Sequence, residues 1–210
     1  MKPALFLRMT VVLSLCTLRV FSADLVINGE TNRVYENGKY GKLLMTNSKG
    51  ITIRNCRFSA PSLTQRLQTV NSIGDCEDIV VDGCDFDGKA EKYACDGLRI
   101  RGSKITIRNT VIHDFADDGI VIGTGSDMFL IDNMIHRLYG CGTDGNPSCL
   151  DPAGCNNGHS DGIEIAGTVT NLVLRTCTIP GASACCTWKV PAIGGRNRSS
   201  CEAPPPILKQ

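Results

Sequence analysis

From Ile51 to Ile179 apolar residues recur in two interleaved patterns. The first sets an apolar pair two residues apart and a third apolar residue five further on. It occurs at Ile51, Ile53 and Phe58; at Ile79, Val81 and Phe86; at Ile105, Ile107 and Ile112; at Met128, Leu130 and Ile135; and at Leu172, Leu174 and Ile179. The second pattern is shorter and falls between copies of the first, at residues 70–73, 96–100, 118–122 and 161–165, the last three opening on Asp-Gly. From its final isoleucine to the second apolar residue of the next first pattern is eight, seven, eight and nine residues in turn. Alternation with period two, bounded by Gly, Asn and Asp, predicts short strands that each bury one face.

Ile53, Val81, Ile107, Leu130 and Leu174 lie 28, 26, 23 and 44 residues apart. A repeat near 25 residues with two or three strands fits one coil of a parallel β-solenoid, whose coils stack about 4.8 Å apart. A leucine-rich repeat would need a Leu-rich consensus and a helical or extended return segment, which this chain lacks. The predicted class is therefore all-β: a single-stranded parallel β-helix of about five coils over residues 23–179. Three residues past the second apolar residue of each first pattern come Cys56, Cys84, Thr110, Asn133 and Cys177. This is an internal column in which Cys56 and Cys84 either bond or stack as small hydrophobes, and stacking is the expectation because a sheet holds Cβ directions parallel.

Composition adds a compartment. Lys2 and Arg8 precede an apolar run at residues 9–18 and the small or β-branched Val20 and Ser22, which reads as a secretory signal over residues 1–22. The run is too short for the ~20 residues that span a bilayer, so no membrane partner is expected. The chain is expected to be secreted. Loss of Cys16 with the signal leaves eleven of the 12 cysteines for an oxidising compartment, so several disulfides and one leftover thiol are expected. The 22 basic and 21 acidic residues are interspersed, which gives nucleic acid no basic stripe to bind.

The 44-residue gap contains an insertion at residues 139–158 bearing Cys141, Cys149 and Cys155. Long loops on a solenoid gather on its functional face. The cysteine spacings do not fit a zinc knuckle with His159, and disulfide staples are expected instead. Immediately after the insertion, Asp161 falls in register with Asp118 and Asp96, and Asp117 adds a fourth acid. Such a column either retains a proton or holds a cation, with Asp118 and Asp161 as candidate Ca2+ ligands; Asp-Gly is also plain turn chemistry. Candidate catalytic residues are Asp117, Asp118, His159 and Asp161. The outward residues of the second pattern are Arg99, Val121 and Glu164. Arg99 and Glu164 lie about 9.6 Å apart, which leaves room for a sugar ring over Val121, and both are candidate substrate-binding residues. His113 and His136 are expected to be structural turn residues.

The D-G-[LI]-x-I and I-T-I-R-N repeats resemble the pectate-lyase-like superfamily of right-handed parallel β-helices, over about residues 43–179. The resemblance implies a right-handed coil. Members include lyases, hydrolases and esterases of acidic polysaccharides as well as adhesins. Cys95-Asp96-Gly97, Ala116-Asp117-Asp118-Gly119 and Gly158-His159-Ser160 are similar in order to the three motifs of polygalacturonases. That likeness implies acid and base roles for Asp96, Asp117 and Asp118, with His159 assisting. The first motif keeps only its Asp, the third lacks its second Gly, and the family's later Arg-Ile-Lys element has no counterpart. The expected function is a polysaccharide lyase or glycoside hydrolase acting on a uronate-containing polysaccharide, with no cofactor or with Ca2+. The alternatives are a non-catalytic glycan-binding or surface protein, or an inactive shortened form.

From Pro180 the alternation stops, and residues 180–210 read as an irregular Cys/Pro-rich tail with a glycosylation sequon at Asn197. The last coil is then expected to present an open edge, either as a shortened form of a longer β-helix or as a surface for self-association.

Overall fold

The computed structural model describes residues 22–62, 67–89, 94–138, 161–177 and 186–193. The expected signal, the 139–158 insertion, His159 and the Asn197 sequon lie outside the described residues.

Fifteen strands are described, and apart from the last pair they associate in parallel. The first coil comprises β1 (Leu25–Asn28), β2 (Val34–Glu36) and β3 (Lys39–Tyr40), and the second β4 (Leu43–Thr46), β5 (Lys49–Arg54) and β6 (Arg57–Ser59). In the next three coils the two sequence patterns fuse into one long bent strand followed by a short one. These are β7 (Leu67–Asp82) with β8 (Asp85–Asp87), β9 (Ala94–Arg108) with β10 (Val111–His113), and β11 (Ile120–Ile131) with β12 (Met134–His136). A sixth coil follows as β13 (Ile163–Ile165) and β14 (Val169–Cys177), and β15 (Cys186–Ile193) closes the sheet. One sheet runs β1-β4-β7-β9-β11-β14-β15 and the other β3-β6-β8-β10-β12. The parallel solenoid is as the repeats predict, with a further coil, β1 to β3, ahead of them.

The apolar positions of the repeats stack rung on rung. Ile51, Ile79, Ile105, Met128 and Leu172 pair in register and are fully buried. Phe58 and Phe86 stack at 4.8 Å, with Tyr40 above Phe58 at 5.5 Å. Each fully buried side chain of this size stabilises by about 1.5–3 kcal/mol, which makes the column the main cohesive element. The corner between the apolar pair of the first pattern and its third apolar residue is made by Asn55, Gly83, Asn109 and Asp132, and in the first coil by Asn37, all at φ between 51° and 63°. Asn and Asp tolerate this left-handed conformation better than other side chains, which is why the sequence repeats them at one position.

The predicted interior column is present. Cys56, Cys84, Thr110, Asn133 and Cys177 are all buried. The Cys84 N–H donates to Thr110 Oγ1 (3.4 Å), the Thr110 N–H to Asn133 Oδ1 (3.1 Å), and Asn133 Nδ2 to the Ile107 carbonyl (2.9 Å). The thiols stack and do not bond. Cys56, Cys76, Cys84 and Cys177 are free thiols and buried, and burial pushes the Cys84 thiol up to about 11, far from reactive thiolate character. Cys56 and Cys84 stack as expected, and these four cysteines take no part in the expected disulfides.

Asn71 does comparable work in the second-pattern strand. It is 1% exposed; its Oδ1 accepts from the Leu43 N–H at 2.9 Å and its Nδ2 donates to the Gly97 carbonyl at 2.8 Å, so one amide ties three coils. Asn71→Ala leaves two buried backbone groups without these partners, and a loss of about 2–4 kcal/mol is expected. The measurement is urea unfolding at unchanged m-value; a loss below about 0.5 kcal/mol, the level of an ordinary surface substitution, would show that water replaces the amide.

The tail corrects the sequence reading. β15 pairs antiparallel along β14, from Val169 opposite Ile193 to Cys177 opposite Cys186, so the edge expected to be open is covered there. Pro191 is compatible with this strand because an edge strand needs hydrogen bonds on one side only. Thr187, Trp188, Val190 and Ile193 are strand-favouring residues that the flanking prolines and cysteines disguise as linker.

Candidate functional site

The aspartate column exists where the register places it. The Gly97 N–H donates to the Asp118 carbonyl at 2.8 Å and the Gly119 N–H to the Asp161 carbonyl at 3.0 Å, so Asp96, Asp118 and Asp161 sit on successive coils at the entrance to β9, β11 and β13. Arg99, Val121 and Glu164 form the neighbouring column. Asp96, Asp117 and Asp118 are 1%, 6% and 5% exposed, a degree of burial that carboxylates seldom show without partners.

Asp118 is the most perturbed member. Its Oδ1 accepts the Asp161 N–H at 2.7 Å. Burial pushes its carboxyl up to about 8, with further repulsion from Asp117, Asp96 and Glu164, while the Asp161 hydrogen bond pulls the other way. Asp96 is also raised by burial, but Arg99 opposes the shift. Arg99 Nη2 lies 2.9 Å from Asp96 Oδ2 and its Nε 3.1 Å from Thr69 Oγ1, and Gln68 Nε2 adds a bond at 3.3 Å to Asp96 Oδ1. Asp96 is therefore the anchor of a cation and not simply a turn residue.

Several expectations are adjusted. Val121 is fully buried, so no sugar ring lies over it. The Arg99 side chain, 42% exposed, is committed to Asp96 and offers only its free edge to a ligand. Of the two candidate Ca2+ ligands, Asp118 uses Oδ1 to accept the Asp161 N–H at 2.7 Å, and neither belongs to a group of three or more metal-ligating residues among the described residues. Such a cluster does occur elsewhere, at Asp87, His113 and Asp114. There the oxygens are already engaged: Arg57 holds Asp87 at 2.9 Å, the Lys89 N–H donates to Asp87 at 2.7 Å, and Arg137 Nε binds Asp114 at 2.7 Å. His113 lies 2.9 Å from Asp85 and 2.6 Å from Asp114, with its ring stacked on His136 at 5.2 Å. This closed ion network matches the structural role expected of both histidines. His159 lies outside the described residues.

Beyond Arg99, away from the acids, a groove of ≈ 470 Å³ crosses the coils, lined by Thr46, Ser72, Asp75, Arg99, Arg101 and Thr124. Of these, Arg99 is a residue the sequence reading singled out; Ser72 lies within the second-pattern segment 70–73, Thr46 ends β4, and Asp75, Arg101 and Thr124 lie in the turns between the two halves of the long strands, outside both apolar patterns. The arrangement thus combines a buried acid cluster holding a proton near neutral pH with a polar groove, joined through Arg99.

Residues 44–189 match the family model for a right-handed β-helix region. No curated protein and no solved structure matches the chain.

Proposed function

The chain belongs to the right-handed β-helix family, and from that premise we propose that it is a secreted carbohydrate-active protein, a glycoside hydrolase of a uronate-containing polysaccharide. The observation that carries the reading is the Asp118 carboxyl, held protonated to about pH 8 among other acids. Glycosidic cleavage needs a protonated carboxyl to donate to the leaving oxygen and an ionised one to activate water, and mutual repulsion sorts neighbouring acids into these two states. Asp118 takes the acid role and Asp117 the base role. Arg99, fixed by Asp96, faces the uronate carboxylate with its free edge. A lyase requires a free Arg or Lys as base, and the commitment of Arg99 to Asp96 favours hydrolysis over elimination.

The burial of the three aspartates favours a second reading, in which the column is structural and the protein binds glycan without cleaving it. The experiment that separates them is incubation with polygalacturonate, alginate and neutral glucans, with and without EDTA, following reducing ends and the ultraviolet absorbance of unsaturated ends. Hydrolysis yields reducing ends alone, insensitive to EDTA. Unsaturated ends would replace the hydrolase by a lyase, and no product from any polymer would leave the binding reading.

A further inference from the structure

The turn between the two halves of each long strand varies in length from coil to coil. Gly74 and Asp75 separate Ile73 from Cys76, Arg101 alone separates Ile100 from Gly102, Gly123 and Thr124 separate Ile122 from Gly125, and three residues separate Ile165 from Val169. One short turn set between longer ones leaves a notch. Its floor is backbone, since a Cβ on Gly102 would lie 2.1 Å from the Cys76 carbonyl oxygen and one on Gly125 2.0 Å from that of Gly102. The notch measures ≈ 640 Å³, within the range of small-molecule sites, and is lined by Asp75, Arg101, Ser103, Thr124, Thr168 and Thr170. It lies on the far side of the second-pattern strands from the acid cluster and shares no residue with it, while Asp75, Arg101 and Thr124 also line the groove beyond Arg99.

We infer that this notch is a binding site for an uncharged saccharide chain, separate from the acid cluster. Charge selects the ligand class. Arg101 Nη2 and Asp75 Oδ2 are paired at 2.7 Å, both half exposed, so the lining is neutral: an anion meets Asp75 and a cation meets Arg101. Hydrogen bonding narrows it further. The guanidinium edge offers only donors and the carboxylate only acceptors, a combination suited to adjacent hydroxyls that both donate and accept, and the Ser and Thr hydroxyls complete either role. Ser103, Ser126 and Thr170 pair rung to rung, which presents the same contact about every 4.8 Å along the coil axis and suits a polymer of repeating hydroxylated rings. None of the described lining residues is aromatic, so affinity rests on hydrogen bonds and is modest.

The test is an NMR titration of the full chain with neutral tetrasaccharides of glucose, mannose and xylose, and with tetragalacturonate. A neutral tetrasaccharide is expected to shift the Gly102 and Gly125 amides, and Asp75→Asn and Arg101→Gln are each expected to weaken it about fivefold to tenfold. Both side chains are exposed, so the variants keep the wild-type unfolding midpoint; Asn is chosen because Asp75 sits at φ 53°. Saccharide binding stays unchanged in Asp118→Asn, because Asp118 does not line the notch. No shift of these amides at millimolar neutral saccharide, wild-type affinity in both variants, or preference for tetragalacturonate would each overturn the inference.

Discussion

Replacing Asp118 by Asn is expected to lower hydrolysis by 10²–10⁴-fold while leaving the coils folded, the range that loss of a positioned general acid costs. The amide oxygen of Asn can still accept the Asp161 N–H that Asp118 Oδ1 accepts at 2.7 Å, so the substitution removes the proton and keeps the contact. Wild-type activity should fall as pH rises through about 8, where the Asp118 carboxyl ionises, and residual activity in the variant should lose that limb. Stability supplies a second readout that needs no substrate. A carboxyl whose folded pKa is raised to about 8 from 3.8 binds its proton in the native state over a range where the unfolded chain has released it. The native state therefore holds more protons between those values, its contribution to stability is fully present below the lower one, and that contribution is lost as pH rises to the upper one. One proton allows a slope of at most about 1.4 kcal/mol per pH unit. Asp118→Asn should flatten this slope in urea unfolding between pH 5 and pH 8. An unchanged slope would mean that Asp118 is ionised at neutral pH, which removes the physical basis of the acid assignment whatever the substrate panel shows.

Much of this geometry can be read from apolar spacing, because in a solenoid one residue per rung suffices to index the rest. Once Ile100, Ile122 and Ile165 align, Asp96, Asp118 and Asp161 must share a column, as must Arg99, Val121 and Glu164. The interior column from Cys56 to Cys177 follows in the same way. What indexing does not carry is depth. It makes Val121 outward, whereas other parts of the fold cover it completely. It also leaves the partner of Arg99 open, since Asp96 is three residues back on the same strand and nothing in the pattern says that the two side chains turn toward each other. β15 escaped because Cys186, Pro191 and the flanking prolines and cysteines carry a linker's composition, and an antiparallel edge strand obeys no coil repeat. The notch is an intermediate case. The spacings of eight, seven, eight and nine residues encode its unequal turns, yet a one-residue variation reads as noise until the stacked coils give it a place.

That one-residue turn makes Gly102 the most demanding position in the coil, and Gly102→Ala is expected to cost more than about 4 kcal/mol, a large part of the 5–15 kcal/mol that holds a domain together. Two costs combine. Gly102 has φ 136°, outside the regions an L side chain adopts readily, and its Cβ would sit 2.1 Å from the Cys76 carbonyl oxygen and 2.9 Å from the Cys76 nitrogen. Both obstacles are backbone, and Cys76 is paired to Gly102 in the ladder, so relief requires adjacent coils to separate and lose stacked isoleucines on either side. Gly29→Ala gives the cost of a left-handed alanine without overlap, because Gly29 has φ 68° and a Cβ there would have nothing within 4 Å. It should lose only about 1–2 kcal/mol, the ordinary penalty of a left-handed alanine. The difference between the two, measured by urea unfolding at equal m-values, reports the overlap together with the added backbone cost of φ 136° over φ 68°. Equal losses would mean that the coils part at that rung with little resistance, and the floor of the notch would then be soft instead of fixed by the glycine contact.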